Sequence, residues 1–209
     1  RLDRAVEAAG RVAGDVELLP VTKFFPASDV VALHGLGCEA FGESREQEAS
    51  RKIAEVADEL PDATLRWHMV GRIQRNKAKA VAAWAHTAHS VDSPDLVSAL
   101  ERAVAAALQE GRRNDPLRVY VQVSLDGDES RGGVAVTAPA AIDEICDRVE
   151  TRSRASRLDR GSSSRNACGL RTSARPIATK SKPSAMARSM VSRLVMPPSR
   201  ISGNLSSAR

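Results

Sequence analysis

Apolar residues recur at helical spacing over residues 2 to 13 (Leu2, Ala5, Val6, Ala9, Val12), until Gly14 and Asp15 interrupt them. The run Leu18-Leu19-Pro20-Val21-Thr22 is continuous instead of periodic, and it predicts a buried first strand from about Val16 to Thr22. Ser28 or Asp29 opens a helix carrying Val30, Val31 and Leu33, which Gly35 and Gly37 end. Ala40-Phe41-Gly42 reads as a short second strand, and residues Glu46 to Leu60 as a helix stopped by Pro61. Leu65 to Val70 is a third strand, followed by an alanine-rich helix from Gln74 to Trp84. Thr87 to Val91 is a fourth strand. Ser93 and Pro94 supply an N-cap and a first-turn proline for a long helix that ends near Gly111. Leu117 to Ser124 alternates as a fifth strand, and Ala140 to Val149 is a helix with Ile142, Ile145 and Val149 on one face.

Strand and helix therefore alternate five times. This predicts parallel strands joined by right-handed helical crossovers, either a (β/α) barrel or an open doubly wound sheet. A barrel needs eight units in roughly 250 residues, and the pattern supplies five or six. Past Val149 the rhythm stops. Arg-Ser-Arg-Ala-Ser-Arg and Gly-Ser-Ser-Ser-Arg-Asn carry no apolar period, and only Ser189 to Met196 could form a strand or short helix. So little apolar surface predicts disorder for residues 151–209.

Charge sharpens that boundary. The chain holds 31 Lys and Arg against 26 Asp and Glu, a net of +5. Residues 151–209 contain 13 of the basic residues and one acid, Asp159, for a net of +12; the first 150 residues, with the other 18 basic and 25 acidic residues, are net −7. All six aromatics (Phe24, Phe25, Phe41, Trp67, Trp84, Tyr120) precede residue 121. Loss of aromatics, acids and rhythm at one point is what out-of-frame translation of GC-rich DNA would give, so a reading-frame disruption near residue 150 is expected, with a native basic tail as the alternative. Arg1 stands where a methionine would be expected, so the start is expected upstream. No apolar run reaches membrane-spanning length and no signal peptide opens the chain. Cys38, Cys146 and Cys168 have no zinc spacing, and with their odd number they suit a reducing, cytoplasmic setting.

The candidate chemistry sits where the predicted strands end, since ligands of parallel α/β sheets bind at the strands' carboxyl ends. Lys23 follows the first strand. A lysine at a buried strand end is poorly solvated, which lowers an ammonium pKa and makes the amine a nucleophile able to form a Schiff base with an aldehyde. Phe41-Gly42-Glu43-Ser44-Arg45, Trp67-His68-Met69-Val70-Gly71, His89-Ser90-Val91-Asp92 and Gln122-Val123-Ser124 close the other strands. His86 and His89, three apart in a strand, should point to opposite faces, which argues against a metal site. Glu43, Glu46 and Glu48 read as residues that favour a helix dipole.

These segments, with Val21-Thr22-Lys23, Gln47-Glu48-Ala49, Arg72 to Lys77 and Glu129 to Gly133, resemble the pyridoxal phosphate homeostasis proteins, whose fold is like the barrel domain of alanine racemase. The resemblance covers about residues 1–150. It implies an incomplete PLP-binding (β/α) TIM-like barrel followed by a basic tail, a Schiff base between Lys23 and pyridoxal 5′-phosphate (PLP), and a cofactor site lined by Ser44, His68, Ser90 and Ser124. Ser44 and Ser124 stand where that family commonly has asparagine, and Arg131 where lysine is usual. The family's phosphate cradle, a late Ser-x-Gly-Met-Ser segment and a Val-Arg-x-Gly strand, has only faint echoes in Ser184-Ala185-Met186-Ala187 and Met190-Val191-Ser192-Arg193. The implied function is intracellular PLP homeostasis by a carrier or regulator without strong catalysis, with PLP-dependent apo-enzymes as recipients. Racemase activity is disfavoured, because the single tyrosine, Tyr120, lies inside a strand and the family lacks racemase's second domain. Two readings compete: a damaged, non-functional family member, and a nucleic-acid or anion binder working through the tail. The tail's arginines interleave with no aromatics, which argues against the latter.

Overall fold

A computed structural model of the protein describes residues 1–12, 14–158 and 170–172. The remaining residues, including Ser184–Ala187 and Ser189–Met196, lie outside the described ones. The elements follow in the order α1 (Leu2–Ala8), α2 (Ala27–Gly35), β1 (Ala40–Glu43), α3 (Glu46–Glu59), β2 (Arg66–Met69), α4 (Ala78–Trp84), β3 (Thr87–Val91), α5 (Pro94–Gln109), β4 (Leu117–Val121), β5 (Val123–Ser124), β6 (Val134–Ala135), α6 (Pro139–Leu158) and β7 (Leu170–Thr172). A 3-10 turn, Arg75–Lys77, leads into α4. Ser93 caps α5 by accepting the Leu96 N–H at 3.4 Å, with Pro94 in the first turn.

The main sheet is parallel throughout, with strand order β1-β2-β3-β4-β7. Each new strand is added beside the last. With right-handed crossovers, that order keeps every helix on the same face. The helices accordingly pack in sequence, α2 on α3, α3 on α4, α4 on α5 and α5 on α6. This is the barrel type of winding; a doubly wound sheet would reverse its strand order and split the helices between two faces. Phe41, Trp67, Met69, Ala88, Leu117 and Val119 bury their side chains on the helix-covered face, in two clusters that share Trp84 at their margin. His68, His89 and Tyr120 are half-buried and Arg118 is exposed.

Three segments depart from the sequence pattern. The expected first strand is a single parallel bridge, Val21 to Gly42, made by the Gly42 N–H to Pro20 O (2.7 Å) and the Thr22 N–H to Gly42 O (2.9 Å). Pro20 has no N–H to extend the ladder, and Leu18 is 65% exposed. The predicted α4 is shorter than its pattern because its first turn is 3-10. Past Val149 the alternation goes on: α6 runs to Leu158, and β7 pairs with β4 in the register Leu117 to Leu170 through Val119 to Thr172.

Candidate functional site

Glu43 closes β1 fully buried, and Lys52, near the middle of α3, is 4% exposed. The Lys52 ammonium donates to Glu43 Oε1 and to the Thr22 carbonyl, both at 2.7 Å. Thr22 Oγ1 donates to the same Glu43 oxygen at 2.8 Å. Two buried charges are thus mutually paired and share a third partner, which is the condition for tolerating them away from water. Glu43 Oε2 has no hydrogen-bond partner among the described residues. Glu48, one turn before Lys52 on α3, accepts the Phe24 N–H at 2.7 Å, and its carboxylate lies 3.9 Å from the Lys52 ammonium.

Thr22 and Phe24 flank Lys23, so α3 holds the backbone on both sides of it. The turn needs that support. Phe24 has φ 70°, a left-handed value costly for a residue with a side chain. The Phe25 N–H closes the turn on Thr22 O at 3.0 Å. Lys23 itself is exposed, with its ammonium 5.7 Å from the Phe24 ring centroid and the Arg45 guanidinium 4.7 Å from the same ring. This corrects the expectation of a lysine held out of water. The segment before it is a bridge at the sheet's edge and not a buried strand.

From this turn the carboxyl ends are laced across the sheet. The Val70 N–H donates to Glu43 O at 2.8 Å, Ser90 Oγ donates to Val70 O at 3.1 Å, and the Gln122 N–H donates to Val91 O at 2.9 Å. The Gly133 N–H then reaches Asp92 Oδ2 at 3.3 Å. Lys23, Ser44, Ser90 and Ser124 all lie along this rim. Half-buried Ser44 passes so close to Gly71 that a Cβ there would sit 2.2 Å from the Ser44 carbonyl oxygen. Buried Ser124 commits its hydroxyl to its own loop, donating to Asp126 Oδ1 at 3.0 Å. Arg131 pairs with Asp126 and Asp128 in that loop.

His68 lies one residue inside the end of β2 and approaches a second polar cluster. Its Nδ1 is 2.8 Å from His89 Nε2, and its ring centroid is 5.1 Å from that of His89 and 5.8 Å from that of His86. His89 continues to Tyr120 at 4.9 Å. His86 and His89 therefore approach the same ring, against the expectation of opposite faces. His86 lies in the bend before β3, which begins at Thr87, so the two-residue period of the strand does not set the direction of its ring. Burial, with the neighbouring His89 and His86 next in weight, lowers the His68 pKa to about 3, and burial lowers that of His89 to about 4. Both rings are neutral at physiological pH, so one supplies the N–H and the other the lone pair. No group of three or more His, Cys, Asp or Glu among the described residues is disposed to hold a metal ion, and none of the described helices is long and apolar enough to cross a membrane.

The pattern of residues did not reveal Lys52. The available signal is its place on the apolar stripe of α3, with Ala49, Ile53 and Val56, where a lysine is out of keeping unless paired.

A protein of Corynebacterium glutamicum called pyridoxal phosphate homeostasis protein is 48% identical over 154 residues, covering 73% of this chain and 67% of that protein. The chain belongs to the pyridoxal phosphate homeostasis protein family. Members from Mycobacterium bovis and Mycobacterium leprae are 64% and 61% identical over 156 and 155 residues, 72% of this chain in each case. The chain spans 60% of the length of these two relatives. No protein-family model matches it. Among solved structures, PipY of Synechococcus elongatus PCC7942, with PLP bound, superposes with a TM-score of 0.55 at 29% identity, over 71% of this chain and 62% of PipY. A protein of unknown function from Bifidobacterium adolescentis gives 0.59 at 30% identity, over 69% of this chain and 58% of its own. The sequential strand order found here agrees with the barrel-type winding that the sequence resemblance implied.

Proposed function

We propose that this chain binds PLP through Lys23 and serves intracellular PLP homeostasis, holding the cofactor without strong catalysis of its own. The observation that carries the reading is an accessible primary amine on a turn braced at both of its neighbours, at the carboxyl edge of a parallel sheet. Membership of a family with a PLP-bound relative supports it.

The residues fit the reactive end of the cofactor. The Lys23 nitrogen would bond to the aldehyde carbon, and the carbonyl oxygen would leave as water, giving a Schiff base with no oxidant or reductant required. When bound, the cofactor supplies a conjugated ring that acts as an electron sink. Ser44 and Ser90 stand on the rim as hydrogen-bonding groups. His68 offers an uncharged imidazole whose Nε2 is buried and without a hydrogen-bond partner among the described residues. Ser124 contributes to the rim through the shape of its loop. The phosphate end is a different matter: α3 opens with Glu46 and Glu48, and α5 with Asp95, so these helix N-termini disfavour a dianion. Tyr120, the only tyrosine, is packed on His89 within β4, which supports a carrier and not a racemase. A carrier of this kind would pass PLP to PLP-dependent apo-enzymes.

Incubation of the full chain with PLP, borohydride reduction and peptide mass mapping test the reading. The expected result is a pyridoxyl adduct on Lys23 that is lost in Lys23→Ala. An unlabelled position 23 in the parent protein would overturn the assignment.

A further inference from the structure

We propose that the buried Glu43–Lys52 pair, together with Glu48, positions the Lys23 amine. The inference deepens the PLP reading above and rests on Lys23 being the attachment point. Three observations support it. Lys52 spends its ammonium on the backbone of Thr22 as well as on Glu43, so the ion pair is also a backbone clamp. Glu43 spends one oxygen on two donors, Lys52 and Thr22 Oγ1, while its other oxygen is unpartnered among the described residues. A pair that served α3 and β1 alone would have no need of Thr22. Glu48 holds the residue on the other side, Phe24, in a conformation that the local chain would not choose.

A condensation is sensitive to the placement of its nucleophile, because the amine must meet the aldehyde along a narrow approach. An exposed lysine on a free turn would sample many placements. Here the side chain is free but its Cα is fixed from both sides by one helix. Glu43, Lys52 and Glu48 bond to Thr22 and Phe24 on either side of Lys23, so they act through the turn.

The test uses the full 209-residue chain with two readouts. The first, without ligand, is amide hydrogen exchange at Phe24 and Phe25, with α5 as the internal control. The second is the rate of borohydride-trapped labelling of Lys23 by PLP. In Glu48→Ala, which removes the acceptor of the Phe24 N–H, and in the double variant Glu43→Leu/Lys52→Met, which leaves no stranded charge, Phe24 and Phe25 should exchange about ten- to a hundredfold faster. Amides of α5 should be unchanged, and labelling of Lys23 should slow by about tenfold or more. Should the double variant fail to fold, Glu48→Ala decides alone, since Glu48 is partly exposed and its loss leaves the buried pair in place. If exchange rises but the labelling rate stays at the parent value, the residues are structural only and the inference is wrong; unchanged exchange also overturns it. A parent protein that is not labelled at Lys23 removes the PLP reading itself, and this inference with it. Labelled parent with unaltered variants removes only the inference.

Discussion

Two polar clusters beside the same sheet meet the cost of burial in opposite ways. At β1 and α3, Glu43 is met with a counter-charge 2.7 Å away and with a hydroxyl donor. At β2 and β3, His68 and His89 give up charge: burial keeps them neutral well below the ordinary imidazole range, and each solvates the other. The first solution fixes geometry, because ion pairs in a low dielectric are intolerant of separation. The second leaves the stack dependent on pH, because a proton added to either ring has no partner.

Breaking the charged cluster asymmetrically should have the largest effect. Lys52→Met leaves Glu43 buried and unpaired, and should lower stability by about 3–5 kcal/mol in denaturant titrations. Replacing both partners, Glu43→Leu/Lys52→Met, should recover most of that loss. Equal losses in the single and double variants would mean that the pair is not what burial costs here.

Acid titration should break the neutral cluster. A histidine whose pKa is lower in the folded state than its unfolded value near 6.5 contributes no stability change above that value. Below it the unfolded chain binds the proton first, so stability falls with falling pH until the folded pKa is reached, about 4 for His89 and about 3 for His68. Each ring contributes at most about 1.4 kcal/mol per pH unit across that window. Denaturant midpoints between pH 6.5 and 4.5 should therefore slope downward, and His68→Gln/His89→Gln should flatten most of the slope. His86, lowered in the same direction, should account for the remainder. A slope that survives the double substitution unchanged would locate the acid sensitivity elsewhere.

The rim between the clusters has its own tight point. Gly71→Ala would set a Cβ 2.2 Å from the Ser44 carbonyl oxygen, a backbone atom that cannot rotate away. A loss of about 1–3 kcal/mol is expected, with Ser44 displaced from the end of β1, visible as a changed Ser44 amide shift. A silent Gly71→Ala would show that the two loops can separate freely.

These clusters also mark where sequence reading succeeds and where it stops. β3 at Thr87–Val91 and the Ser93–Pro94 start of α5 were legible because period and cap chemistry are local properties. Lys23 and the strand-end motifs were legible as positions on a rim, because parallel winding places all carboxyl ends together. The bridge at Val21 was not foreseen as a bridge: apolar content suggested a strand, but Pro20 and the lack of a covering layer limited it to two bonds. The shared approach of His86 and His89 was hidden because the sequence pattern does not show that His86 falls in the bend before β3, where strand alternation no longer applies. Lys52 was hidden because its partners lie 30 and nine positions away in sequence, and a salt bridge of that span has no local signature. The continuation of α6 and the pairing of β7 were equally invisible, since a Ser/Arg-rich stretch carries no apolar period to announce them.

The smallest effect separates the two components of the Lys23 turn. Phe24 holds φ 70° with an exposed ring, so Phe24→Ala removes the ring contacts to Arg45 and Lys23 while keeping a Cβ in the left-handed region. Phe24→Gly removes the same contacts and the Cβ as well. Glycine in an ordinary chain position costs more unfolded-state entropy than alanine, so it would normally be the less stable variant. At position 24 the order should reverse, with glycine more stable than alanine by about 1 kcal/mol in thermal or denaturant unfolding. The reversal would establish that α3 holds this turn against its own preference, through Glu48 and the Lys52 clamp. The ordinary order would mean that the turn relaxes out of the left-handed region in solution, and the comparison between a rigid charged cluster and a titratable neutral one would lose its rigid half.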